Sequence, residues 1–282
     1  MNTLSTEPEL LSLQRPGLEA PEPAMLNGTE AAFGMTASDY GKHRAGFPPA
    51  FFERLAGAGI ARPGERALDV GTGTGTLARG LARLGLNVTG LDPAEPLLEE
   101  ARRLSRAEHL AVGYLTGTAE ATGLESRAFD LVTAGQCWHW FDRPAAAREM
   151  ARLLKPGGRL VICHFDWLPL PGNVVAATEA LIRAHNPDWN MGGGAGIYPR
   201  WFADLSGAGF EKLESASFDI GQPYSHEAWR GRIRASAGIS ASLPPEAVEA
   251  FDQEHGAMLA RDFPADPLIV PHRVWWVSGV RG

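Results

Sequence analysis

The run Leu68-Asp-Val-Gly-Thr-Gly-Thr-Gly-Thr-Leu77, followed by Val88-Thr-Gly-Leu-Asp92, constrains the fold more than any other part of the chain. Its apolar start reads as a buried strand, Gly71, Gly73 and Gly75 as a tight turn, and residues 76–84 as the helix that follows. Glycine adopts positive φ without strain and has no Cβ, so backbone can close on a ligand at such a turn. A second short strand, 86–91, ends at Asp92. In a parallel α/β sheet, an acid at that strand end is placed to accept hydrogen bonds from both hydroxyls of a ribose.

The glycine spacing separates two kinds of nucleotide ligand. A dinucleotide fingerprint is G-x-G-x-x-G, with pyrophosphate against the helix N-terminus. Counted from Gly71, the third glycine position is Thr76; counted from Gly73 it is Ala78, which leaves only the tolerated G-x-G-x-x-A form. Asp69, just before the turn, would repel a phosphate but suits a ligand with an ammonium group or a sulfonium-bearing chain. The combination favours S-adenosyl-L-methionine over NAD, with an NAD-dependent oxidoreductase as the competing enzyme class.

Five segments resemble the class I S-adenosylmethionine-dependent methyltransferases, in particular the small-molecule branch that includes the ubiquinone and menaquinone biosynthesis methyltransferases. They are 68–75, Gly90-Leu-Asp-Pro93, Gly117-Thr-Ala-Glu120, Asp130-Leu-Val-Thr-Ala-Gly-Gln-Cys-Trp-His-Trp-Phe-Asp142 and Leu153-Leu-Lys-Pro-Gly-Gly-Arg-Leu160. The resemblance implies a Rossmann-like α/β fold: a seven-stranded, mostly parallel sheet with its last strand antiparallel and a substrate-side insertion. It also implies that Tyr40 and Arg44 help close over the cofactor, Arg44 pairing with the methionine carboxylate, and that Ala119 and Glu120 lie beside adenine. Ordinary packing is the alternative for the first two, and a solvated helix-start acid for Glu120. Asp69, Gly71, Thr72, Gly73, Gly75, Asp92 and Pro93 make up the rest of the cofactor set, together with Gln136, whose amide can both donate and accept.

With 282 residues, 44% of them hydrophobic and 21% charged, the chain can bury the core of one α/β domain carrying a cap or insertion. No apolar span approaches about 18 residues and the N-terminus lacks a signal pattern, so a cytoplasmic protein without a membrane partner is expected. A net charge of −7 without a basic run argues against nucleic acid. Cys137 and Cys163 have no C-x-x-C spacing and the histidines no shared ligand frame, so neither a disulfide scaffold nor a metal is expected. No coiled coil is apparent, which leaves monomer and homodimer open.

Residues 1–30 read as a flexible leader, with a short lid or swapped arm as the alternative, and 31–282 as one domain. Helices are expected at 49–59, 93–107, 143–154, 173–185, 198–207, 226–237 and 244–261. Further strands are expected at 111–115, 130–135, 159–164, 209–214 and 273–281, with Lys155-Pro-Gly-Gly158 a turn before its strand and Asp130 a turn or capping residue. Residues 166–197, with the glycine-rich Met191-Gly-Gly-Gly-Ala-Gly196, read as the insertion and include a mobile loop. No Lys-Ser or Lys-Thr pair follows, which argues against a P-loop. Residues 221–262 read as a helical cap or packing region.

Methyl transfer asks a protein to align nucleophile, methyl carbon and sulfur, to exclude water, and to accept a proton where the acceptor must lose one. His139, just beyond the fourth strand, is the candidate general base, with a structural or orienting histidine as the alternative. Trp138, Trp140 and Phe141 read as an apolar wall able to meet a sulfonium, at about 0.5–2 kcal/mol, or as core cover. Trp167, Trp189, Tyr198 and Trp201 suggest an insertion covering a partly aromatic or apolar small molecule, with packing of the insertion to the core as the alternative. His164 and Asp166 are candidate polar contacts to it, or local caps. The expected activity is methyl transfer to oxygen or nitrogen of a small metabolite. Carbon methylation and a noncatalytic adenosylmethionine-binding regulator are the alternatives.

Overall fold

The computed structural model describes residues 46–236 and 238–282, so Tyr40, Arg44 and the 1–30 leader lie outside the described residues. In chain order the elements are α1 (Pro49–Gly57), β1 (Arg66–Val70), α2 (Thr76–Arg83), β2 (Asn87–Asp92), α3 (Glu95–Ala107), β3 (Val112–Thr116) and β4 (Phe129–Gly135). After a 3-10 turn at Trp138–Trp140 come α4 (Arg143–Leu153), β5 (Leu154–Trp167), α5 (Val174–His185), α6 (Trp201–Gly207), β6 (Phe210–Tyr224), α7 (His226–Arg234), α8 (Pro245–Asp262) and β7 (Leu268–Arg281).

The strands form one sheet in the order β3-β2-β1-β4-β5-β7-β6. β1 to β5 pair in parallel, and β7 runs antiparallel to both β5 and β6. Strands covered by helices on both faces read as near-continuous apolar runs, which is why Ala67 to Val70 and Leu131 to Ala134 are buried without alternation. Strand order reverses between β1 and β4, and that switch point opens a crevice at their carboxyl ends.

Each face of the sheet has its own core. Val70, Val132, Trp138, Met150 and Trp275 pack on one side. Phe51, Leu55, Leu77, Leu131 and Trp276 pack on the other, where Gly80 of α2 leaves room for the Phe52 ring of α1. A third cluster, including Val175, Ile182, Trp229, Phe251 and Leu259, joins α5, α7 and α8 into a cap. Asp142, Asn173 and Ser225 cap α4, α5 and α7 by accepting from the backbone N–H three residues on.

Several expected boundaries shift. Lys155-Pro-Gly-Gly158 is an irregularity inside β5 and not a turn before it: Phe129 aligns with Leu154 but Leu131 with Arg159, and Gly157 takes φ 79°. α6 begins at Trp201, three residues after its expected start, and β6 and β7 run longer because they pair from Phe210↔Arg281 to Tyr224↔Leu268. Asp130 caps no helix. Its carboxylate accepts from Arg66 N–H at 3.0 Å and Lys155 Nζ at 2.7 Å, tying together the entrances of three strands. Among the described residues, no helix is long and apolar enough to cross a membrane.

Candidate active site

The turn between β1 and α2 is built on left-handed glycines, with φ of 66°, 55° and 76° at Gly71, Gly73 and Gly75. A Cβ on Gly71 would sit 2.7 Å from Cys137 Sγ, and one on Gly75 would overlap the Tyr114 hydroxyl. The turn is anchored to β2: Gly71 N–H and Thr72 N–H donate to the Leu91 carbonyl at 2.8 and 3.1 Å. Asp92 accepts from Gly73 N–H and Ala94 N–H, each at 2.9 Å, one per carboxylate oxygen. Each oxygen keeps a further acceptor site, so the acid can still receive a ribose hydroxyl. Pro93 follows, exposed, at the crevice rim.

Asp69 lies beneath the turn, 1% exposed, accepting from Thr72 Oγ1 at 2.6 Å and Thr133 Oγ1 at 2.8 Å. Burial pushes its carboxyl up to about 6 although these hydroxyls pull the other way. It therefore binds the turn to β4 as well as presenting charge near the crevice. Ala119 is buried, and Glu120 accepts from Asp142 N–H at 3.0 Å, which links the loop after β3 to the start of α4. Gln136 is held at φ 60° where β4 ends, its side-chain amide donating to the Phe165 carbonyl at 2.9 Å. Left-handed backbone without side chains, an acid with acceptor sites to spare and a switch-point crevice together fit an adenosyl ligand.

Across the crevice, the 3-10 turn carries His139, whose ring centroid lies 4.7 Å from Trp140 and 5.4 Å from His164. His164 Nδ1 is 3.2 and 3.3 Å from the two oxygens of Asp166, and the Tyr198 hydroxyl donates to the same carboxylate at 2.6 Å. Burial alone would raise the Asp166 carboxyl. The charge and hydrogen bond of His164, the Tyr198 hydroxyl and the nearby His139 outweigh it and hold the acid down at about 2. An ionised carboxylate only accepts, so His164 carries a proton on Nδ1 and directs Nε2 away from Asp166. That atom is buried and has no hydrogen-bond partner among the described residues. Burial and Asp166 push the Tyr198 hydroxyl well above its ordinary value, keeping it a donor, and its ring stacks on Trp201 at 4.2 Å.

The other expected substrate contacts separate. Trp138 is fully buried, its indole N–H donating to Asp204 at 2.9 Å, and so belongs to the core. Trp140 is half-buried beside His139. Trp167 turns to the cap, donating to Glu179 at 3.0 Å and meeting Trp229 edge-on at 5.5 Å. Trp189 packs on the cap core with Arg183 5.9 Å above its ring. Two residues escaped sequence reasoning. Glu179 is 2% exposed, and a signal for it existed: it falls on the apolar stripe of Val175 and Ile182 in α5. Arg232 had no local signal.

Residues 68–162 match the methyltransferase domain family. A 129-residue stretch is 37% identical to an uncharacterized methyltransferase of Mycobacterium tuberculosis, covering 46% of this chain and 50% of that protein, so the chain spans about half the length of that relative. A ubiquinone/menaquinone biosynthesis C-methyltransferase of a Ruegeria species is 31% identical over 188 residues, 60% of this chain and 75% of that protein. A ubiquinone biosynthesis O-methyltransferase of Xanthomonas campestris pv. campestris is 31% identical over 182 residues, 64% of this chain and 74% of that protein. Sheet order, glycine turn and relatives agree: the chain belongs to the class I S-adenosylmethionine-dependent methyltransferase family.

Proposed function

We propose that this protein transfers a methyl group from S-adenosyl-L-methionine to oxygen or nitrogen of a small, partly aromatic metabolite. The observation that carries the choice of oxygen or nitrogen is the His139–His164–Asp166–Tyr198 cluster at the carboxyl ends of β4 and β5. The bound donor supplies a methyl group already activated on its sulfonium, so the protein's tasks are placement and proton removal. Gly71, Gly73, Gly75 and Asp92 would hold the adenosyl part, with Asp69 facing the amino-acid end. His139 would accept the proton that an O–H or N–H acceptor must lose, while Asp166 balances the charge that forms on the imidazole. Trp140 and Tyr198 would wall the acceptor away from water. A carbon acceptor is the second reading, favoured by the likeness to the Ruegeria C-methyltransferase.

The test is calorimetric titration with S-adenosylhomocysteine, followed by a screen of hydroxylated, amino and carbon-nucleophile metabolites for adenosylhomocysteine release. Saturable cofactor binding with turnover on a hydroxyl or amino compound is expected. Failure to bind adenosylhomocysteine rejects the proposal, and turnover confined to carbon nucleophiles selects the second reading.

A further inference from the structure

We propose that Arg232 binds a carboxylate of the acceptor molecule, so that the substrate is an organic monocarboxylate whose methyl-accepting oxygen or nitrogen lies elsewhere in the molecule; this deepens the reading above and rests on it.

The arginines of α7 divide by face. Arg230 and Arg234, one helical turn apart, both bond Asp252 of α8, at 3.1 Å from Arg230 Nε and 2.6 Å from Arg234. Arg232 stands between them, rotated by about 200° on the helix, and turns the other way, towards the end of β5. There its guanidinium lies 4.9 Å above the ring of Trp167. That ring is a fixed platform, held by its N–H bond to the buried Glu179 and by its edge contact with Trp229.

No carboxylate among the described residues lies within ion-pairing distance of Arg232. Asp166, the residue before Trp167, is near enough to act electrostatically but does not pair with it. Burial pulls the guanidinium below the usual arginine range, although the residue keeps partial solvent access. The cation is thus both desolvated and reachable from solvent. Buried charges are paired in stable proteins, so an uncompensated one points to an anion that arrives from outside.

The charge balance selects the anion. Arg232 offers a single positive charge, while the ionised Asp166 nearby repels an incoming anion, a repulsion that doubles for a phosphate dianion and so favours a monoanion. A planar guanidinium held over an aromatic ring and free of other carboxylates can meet an incoming carboxylate in two parallel hydrogen bonds. A carboxylate held this way is fixed edge to edge against the guanidinium. It is therefore the anchor, and the methyl group goes to a second group directed at His139.

The experiment is titration of the full chain, saturated with S-adenosylhomocysteine, with benzoate, phenylacetate and 3-phenylpropanoate. Each is paired with its primary amide, and phenyl phosphate serves as the dianion. Prior saturation with adenosylhomocysteine is itself a readout: its failure strikes the methyltransferase reading, whereas the acid–amide comparison strikes only the role of Arg232. At least one acid is expected to bind about 10- to 100-fold more tightly than its amide, with that preference lost in Arg232→Met and partly kept in Arg232→Lys. The Tm of Arg232→Met is expected to hold or rise, because no partner is stranded by removing the charge. Three results would overturn the assignment: equal binding of acids and amides, including no binding of either; an acid preference that survives Arg232→Met; or tighter binding of phenyl phosphate than of every acid.

Discussion

The substitution Asp69→Asn is expected to make the protein more stable and a poorer binder of its cofactor. The carboxyl is 1% exposed and titrates near 6 instead of 3.8, with burial the largest cause. At about 1.4 kcal/mol per pH unit, keeping it charged in the fold costs on the order of 3 kcal/mol above pH 6. A carboxyl raised in the folded state favours folding fully below 3.8, and that contribution is lost as pH rises through about 6. Asparagine removes the charge and keeps the shape. Its amide can donate to one threonine hydroxyl while its oxygen accepts from the other, since both hydroxyls can rotate. Urea unfolding of both proteins at fixed pH between about 4 and 8 should show a gap in the variant's favour that opens from about pH 4, reaches 1–3 kcal/mol near pH 6 and stays level above it, with unchanged m-values. Adenosylhomocysteine affinity should fall about tenfold from the loss of charge beside the ligand's ammonium. A gap independent of pH, or a variant less stable at pH 7.5 by more than about 1 kcal/mol, would show that the carboxylate is a net structural asset and refute the reasoning.

Three further expectations are each checked by one measurement. His139→Gln should lower kcat by about 100-fold or more and remove the acidic limb of the kcat/KM profile; an unchanged profile would make His139 an orienting residue. Gly80→Ala should cost about 1–3 kcal/mol, because its methyl would overlap the Phe52 ring, and the added change Phe52→Leu should recover part of the lost Tm. Glu149 is held down at about 2 by its hydrogen bond to Arg152, with burial opposing and Thr122 assisting. Its contribution is thus present above pH 4.5 and lost as pH falls towards 2, so Glu149→Gln should destabilise by on the order of 1–3 kcal/mol at neutral pH and by progressively less in acid.

How far the site could be read in advance depended on whether its parts are neighbours in the chain. Gly71, Gly73, Gly75 and Asp92 were legible because a strand, a turn and a helix leave a local signature, and all three glycines take the positive φ that the turn requires. Trp138 and Trp140 looked alike in sequence, two aromatics around one histidine. The 3-10 turn sends the first into the core against Asp204 and leaves the second half-buried beside His139. Strand ends were less legible where pairing with a distant partner sets them: β5 extends to Trp167 because β7 lies alongside it.

The sequence by itself determined the parallel α/β order, the glycine turn after the first strand and the acid at the end of the second, since each follows from backbone sterics and hydrophobic period within a few dozen residues. Only the tertiary structure decided the opposite side of the crevice. It brings Tyr198 from beyond the insertion onto Asp166 at 2.6 Å, sets His164 against both, and turns Arg232 of a distant helix over Trp167. Those contacts depend on how a cap of three helices settles on the end of a sheet. That placement is set by the summed packing of residues far apart in the chain, which no local pattern encodes.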